Sequence, residues 1–161
     1  MDPTAAPATP PAHTAPADEE IMTWRRDAAI WLGADEASAE QFGHSGGLLM
    51  NGIPVVVSQR SVHRDDWLAV ASLDKPDGVA DDRWHRALLA ANGQTMLSAD
   101  WAWGLSDAGA ALLTLGLPRE VCDDSHQLSL HLYGLLAITE SVRKSAAAAA
   151  PLAPKGKDVL Q

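Results

Sequence analysis

Cysteine is almost missing: Cys122 is the only one in 161 residues. An internal disulfide is therefore impossible, and the expected compartment is a reducing one, most simply a cytoplasm. Phenylalanine and tyrosine occur once each, against six tryptophans. Basic residues are also scarce, 12 against 21 acidic ones, for a formal charge of −9 and a pI near 4.9. That balance argues against binding a nucleic-acid backbone, whose affinity comes from Lys and Arg neutralising phosphates. No apolar run approaches the roughly 18–20 residues of a membrane span. The N-terminus lacks the basic-then-apolar layout of a secretory signal, so neither membrane insertion nor secretion is expected.

What is present is the material of one domain, 47% apolar and 20% charged. A core of this size needs neither a disulfide nor a structural metal, and no cofactor is expected. Residues 1–17 and 151–161 are rich in Ala and Pro without apolar periodicity. They are read as disordered tails, because they cannot bury enough surface to offset their ordering entropy. The folded domain is placed at residues 18–150.

Within it, Ile21, Trp24, Ala28 and Trp31 fall on one helical face. Residues 48–50, Asn51-Gly52 and residues 53–58 read as a tight β-hairpin, since Asn-Gly supplies the positive φ angles of a type I′ turn. Pro54 has no ladder N–H, so its strand should lie at an edge or begin late. Residues 67–73 make a third strand, and residues 81–92 a helix striped by Trp84, Ala87, Leu88 and Ala91. Residues 96–105 alternate, with Leu97, Ala99, Trp101, Trp103 and Leu105 on one face. Residues 110–117 form another strand, and a long helix begins near Pro118. Gly134 inside that helix costs about 1 kcal/mol against alanine, so something should pack close there. The expected order is α-β-β-β-α-β-β-α, an α+β fold around a twisted antiparallel sheet.

Three local patterns invite a chemical reading. Gly43-His44-Ser45-Gly46-Gly47 matches the G-x-S-x-G nucleophile elbow of hydrolases, which needs a strand before the serine and a helix after it. Here a hairpin follows, and residues 37–42 before it are no buried strand, so a glycine-rich loop entering a strand is preferred to a serine hydrolase using Ser45. His63-Arg64-Asp65 imitates a kinase catalytic loop without the nucleotide loop or the length such an enzyme needs. Cys122, Asp123 and His126 make the best metal candidate, but helix-start polar residues are the preferred reading. The tryptophans exceed what so small a core needs, and some are expected at an interface.

The helix carrying Leu88-Leu89-Ala90-Ala91-Asn92, the strand over 96–105, the loop Asp107-Ala108-Gly109, the strand over 110–117 and the last helix resemble the class I chaperones of type III secretion, the CesT/SycE-like group. The Pro/Ala-rich tails and the acidic charge look most like the broad-specificity, HpaB-type export-control chaperones of plant-pathogenic bacteria. The resemblance implies a cytoplasmic homodimer that catalyses nothing and promotes export of several effectors by holding their N-terminal regions extended. It also implies contact with the secretion apparatus, for example its ATPase. The subunit seam would take Trp84, Leu88 and Ala91 from the second helix and Trp101 and Trp103 from the strand after it. An effector would meet Trp24, Ala28 and Trp31 on the first helix and Val55, Val57, Leu68 and Val70 on the strands. An unrelated dimeric adaptor is the remaining alternative.

Overall fold

Asn51 and Gly52, at φ 51° and 76°, reverse the chain between Gly47–Met50 (β1) and Ile53–Ser61 (β2). These are the angles the Asn-Gly pair supplies, and Met50 pairs directly with Ile53. The computed structural model describes residues 18–61, 64–95 and 101–148. Arg64–Leu73 (β3) returns beside β2, and its register begins at Val55–Ala71, one residue after Pro54. Pro54 thus lies in an interior strand at the position just before a ladder N–H is required.

Trp101–Leu105 (β4) and Ala111–Leu117 (β5) complete a five-stranded sheet, antiparallel throughout, in the order β1-β2-β3-β5-β4. Residues 96–100, read as the first half of the fourth strand, lie outside the described residues.

The helices are Asp18–Trp31 (α1), Glu36–Ser45 (α2), Asp81–Thr95 (α3), Arg119–Cys122 (α4) and Ser125–Ala148 (α5). The fold class is α+β as expected, but α2 and α4 add to the expected order. The sequence reading passed over α2, although its start is marked. Asp35 accepts from both the backbone N–H and the hydroxyl of Ser38, at 2.9 and 2.8 Å, an N-cap satisfying a first-turn donor. Its short apolar stripe, Ala39 and Phe42, is completely buried. The single long helix expected after Pro118 is interrupted because the Asp124 carboxylate accepts from the N–H groups of His126 and Gln127 and starts a new helix.

The layers follow from side-chain parity. Ile53, Val55 and Val57 are buried, while Pro54, Val56 and Ser58 between them are exposed. β5 shows the same alternation, with Ala111, Leu113, Leu115 and Leu117 inward. On the inward face lie α1, α4 and α5, with α3 reaching α5 and β4. Leu128, Leu132 and Leu135 of α5 are fully buried there. Gly134 has the close neighbour it requires: a Cβ at that position would touch the Trp101 ring at 3.4 Å. The α1 stripe is shorter than its spacing suggests. Trp24 and Ala28 are buried, but Trp31 is 65% exposed, its ring 4.8 Å from that of His126.

Candidate binding surface

Ser45 is the last residue of α2, and β1 follows it after Gly46. Helix-serine-strand is the reverse of a nucleophile elbow. The expected glycine-rich loop is corrected likewise: it is a helix end. Gly46 sits at φ 70° as the left-handed cap, its N–H bonded to the Phe42 carbonyl at 2.8 Å. The Ser45 hydroxyl donates to the Gln41 carbonyl at 2.8 Å and accepts from the Gly47 N–H at 3.0 Å. Its partners are therefore backbone groups. Gly43 allows α1 and α2 to approach, since a Cβ there would lie 2.9 Å from the Met22 carbonyl oxygen.

The serine cap bears on the edge of the sheet. Val57 N–H bonds to the Gly46 carbonyl at 2.7 Å, and the two-residue turn makes Met50 and Ile53 a bonded pair. Alternation then turns the backbone groups of Leu48 toward β2 and those of Gly47 and Leu49 outward. Ser45 occupies the Gly47 N–H. The backbone groups of Leu49 face out, and its side chain is 68% exposed. Among the described residues β1 is thus an edge open at Leu49.

The opposite edge is closed at its centre. Asn92 of α3 donates to the Trp103 carbonyl at 3.0 Å and accepts the Trp103 N–H at 2.6 Å. One amide side chain satisfies both groups that an added strand would seek.

The sheet face turned away from the helices is apolar and lacks charge near its centre. Val56 stands opposite Val70, which stands opposite Thr114. Leu68 and Leu112 flank this row, both half-buried, and Val56 is 45% exposed. Among the described residues no helix covers this face.

The residues singled out from the sequence fall into two groups. Trp31, Leu68 and Val70 reach the surface wholly or in part. Trp24, Ala28, Val55 and Val57 belong to the core at 7%, 0%, 1% and 0% exposure. Their side chains are not available to an effector, because they fill the space between sheet and helices. The outward residue that the sequence reading missed on β2 is Val56, one position away from both valines. The seam candidates divide similarly. Trp84, Leu88 and Trp103 are buried within the protomer, whereas Ala91 and Trp101 are half-buried. On α3 the exposed apolar neighbour is Leu89, at 69%.

Among the described residues no three His, Cys, Asp or Glu side chains group to hold a metal. The Cys122 thiol lies 3.6 Å from the Pro118 carbonyl oxygen. His63 and the tails, residues 1–17 and 151–161, lie outside the described residues. No described helix is long and apolar enough to cross a membrane.

No family model matches the sequence, and no curated protein matches it. Among solved structures, the chain is similar to one described as the HopA1-SchA chaperone-effector complex, at 18% identity and a TM-score of 0.57. The match covers 79% of this chain and 95% of that one. The likeness therefore runs over nearly the whole of the other chain, and the α+β fold of this protein is one found in a chaperone-effector assembly.

Proposed function

We propose that this protein is a cytoplasmic type III secretion chaperone, which holds the N-terminal region of effector proteins extended and promotes their export without catalysis. The observation that carries the reading is the uncharged apolar sheet face, Val56, Val70, Leu68 and Leu112, lying beside a β1 edge open at Leu49. An extended segment can pair with the backbone of Leu49 and place alternate side chains at the near margin of that face, beside Leu49 and Val56, while further apolar residues of the effector cover Val70, Leu68 and Leu112. Pairing through main-chain groups is largely indifferent to sequence, which suits one chaperone serving several effectors. Holding a segment extended also keeps it from folding or aggregating before export. The solved chaperone-effector assembly of the same fold supports this reading.

The working unit is a homodimer, and the domain of residues 18–150 suffices to form it. The HpaB-type breadth of specificity and a contact with an apparatus component such as its ATPase belong to the same proposal. The seam uses exposed Leu89 with half-buried Ala91 and Trp101, in place of the core residues Trp84, Leu88 and Trp103.

Co-expression with N-terminal fragments of candidate effectors tests it. A stable complex should co-purify with the wild-type protein and be lost with Val70→Glu, which puts a charge on the open face without touching the core. If Val70→Glu folds and retains every fragment bound by wild type, that face is not the binding surface. A fluorophosphonate probe tests the serine-hydrolase alternative, and labelling of Ser45 would establish it in place of this reading.

A further inference from the structure

Arg25 leaves α1 and reaches the point where β1 begins. Its Nη2 donates to the Val57 carbonyl at 2.8 Å. In an undisturbed antiparallel ladder that oxygen would take the N–H of Gly46, because Val57 N–H already donates to the Gly46 carbonyl and bonded pairs exchange both groups. The Gly46 N–H is instead committed to Phe42 as the helix cap. The guanidinium fills the vacant ladder position. Its Cζ lies 5.0 Å from the centre of a Trp67 ring. Gly46 leaves it room, since a Cβ there would stand 3.0 Å from that same carbon.

A carbonyl and a ring do not neutralise a guanidinium. No carboxylate pairs with Arg25 among the described residues. Its Nε is buried without a hydrogen-bond partner. Asp27, two residues along, is held by Arg26 at 2.9 Å. A guanidinium carries about five N–H donors, and among the described residues most of these have no protein partner. Burial pushes the Arg25 pKa below its ordinary value, a cost that an incoming anion would relieve. The residue as a whole is half-buried while Nε is enclosed, so an incoming anion meets the terminal guanidinium nitrogens.

From this arrangement we infer that Arg25 is an anion-receiving subsite, taking one carboxylate side chain from the extended segment that adds to β1. The inference rests on the strand-addition reading above. Carboxylate fits because its two oxygens match the planar fork of donors. One carboxylate fits better than an acidic run, because a protein of net charge −9 repels acidic chains at longer range. Arg25 thereby fixes the register of a pairing that backbone hydrogen bonds alone leave free to slip.

Two measurements test it on the full chain. The first is the Arg25 Nε–Hε NMR signal during titration with acetate, against chloride at equal ionic strength. A saturable shift with acetate alone is expected, and no shift overturns the subsite. The second is binding to short immobilised peptides of alternating Val and Thr, each carrying one Asp or one Asn at successive positions. Wild type should prefer Asp at one position by on the order of tenfold. Arg25→Gln should bind Asp and Asn peptides alike, and Arg25→Lys should keep part of the preference. Equal binding of both peptides by wild type overturns the subsite and leaves strand addition standing. Failure of every peptide to bind counts against strand addition, and the acetate titration then decides the subsite alone. Should Arg25→Gln not fold, the wild-type preference, Arg25→Lys and the acetate titration still decide.

Discussion

The side-chain amide of Asn92 holds both backbone groups of Trp103, accepting its N–H at 2.6 Å and donating to its carbonyl at 3.0 Å. The amide does for β4 what a neighbouring strand would do, and it ties α3 to the sheet in the same contact. An edge strand with unpaired groups is a template for another chain. This one is blocked at the middle of its five residues.

Asn92→Ala should therefore act twice. Two part-buried backbone groups lose their partner, at a cost of about 1–3 kcal/mol in denaturant unfolding. The freed β4 edge should also make the protein associate with rising concentration, read by light scattering. Asn92→Asp keeps an acceptor for the Trp103 N–H but places a carboxylate against the carbonyl, and should be destabilised as well. A wild-type midpoint and mass in Asn92→Ala would show that the contact contributes nothing.

Core and surface positions on α3 should separate cleanly. Leu88 is 5% exposed and Leu89 is 69% exposed. Leu88→Asp buries an unpaired charge at a cost of several kcal/mol and should unfold the protomer. Leu89→Asp should leave the circular-dichroism spectrum unchanged and convert the proposed dimer to a monomer in light scattering. A folded dimer of unchanged mass in Leu89→Asp would place the seam elsewhere.

Gly46→Ala should be costly. Alanine is strained at φ 70°, and its Cβ would collide with the Val57 carbonyl oxygen and press on Arg25. A loss of more than about 1–2 kcal/mol is expected from the left-handed backbone alone. Ser45→Ala removes the exposed hydroxyl contacts to Gly47 and Gln41 and should cost about 0.5–1.5 kcal/mol with effector binding intact. A milder effect at Gly46 than at Ser45 would contradict this account of the turn.

Asp35 should titrate below the ordinary carboxylate range, because the backbone N–H and the hydroxyl of Ser38 both stabilise its charged form. A pKa lower in the folded chain than in the unfolded one adds stability above the unfolded value of about 3.9 and loses it as pH falls through the folded value. Asp35→Asn keeps a cap but cannot titrate. Its thermal midpoint should trail wild type at pH 7, and the gap should close on acidification below about pH 4. A gap that is constant with pH would exclude the charge as the cause.

Short-range chemistry was legible in the sequence. Asn51-Gly52 dictates its turn because only a few residue types take positive φ cheaply, and Pro54 announces where a ladder bond is missing. The stripe of Trp84 and Leu88 on α3 follows from a rule that acts over a few residues. The caps at Asp35 and Asp124 were equally local signals. Asp35 does not stand out because α2 is short and carries little apolar periodicity, and Asp124 does not because the apolar spacing on either side of it reads as one helix.

Tertiary structure decided the rest. Residues 55–57 are all valine, so periodicity could not say which of them faces the helices. The choice depends on α1 and α5 packing over one side of the sheet. Trp31 continues the α1 stripe in sequence yet lies in the open, because burial ends where the covering element ends. The contacts at the two sheet edges join residues far apart in sequence, Arg25 with Val57 and Asn92 with Trp103. Local propensity shapes each segment, but the partner a side chain meets is set by where other segments are brought by closing the whole core.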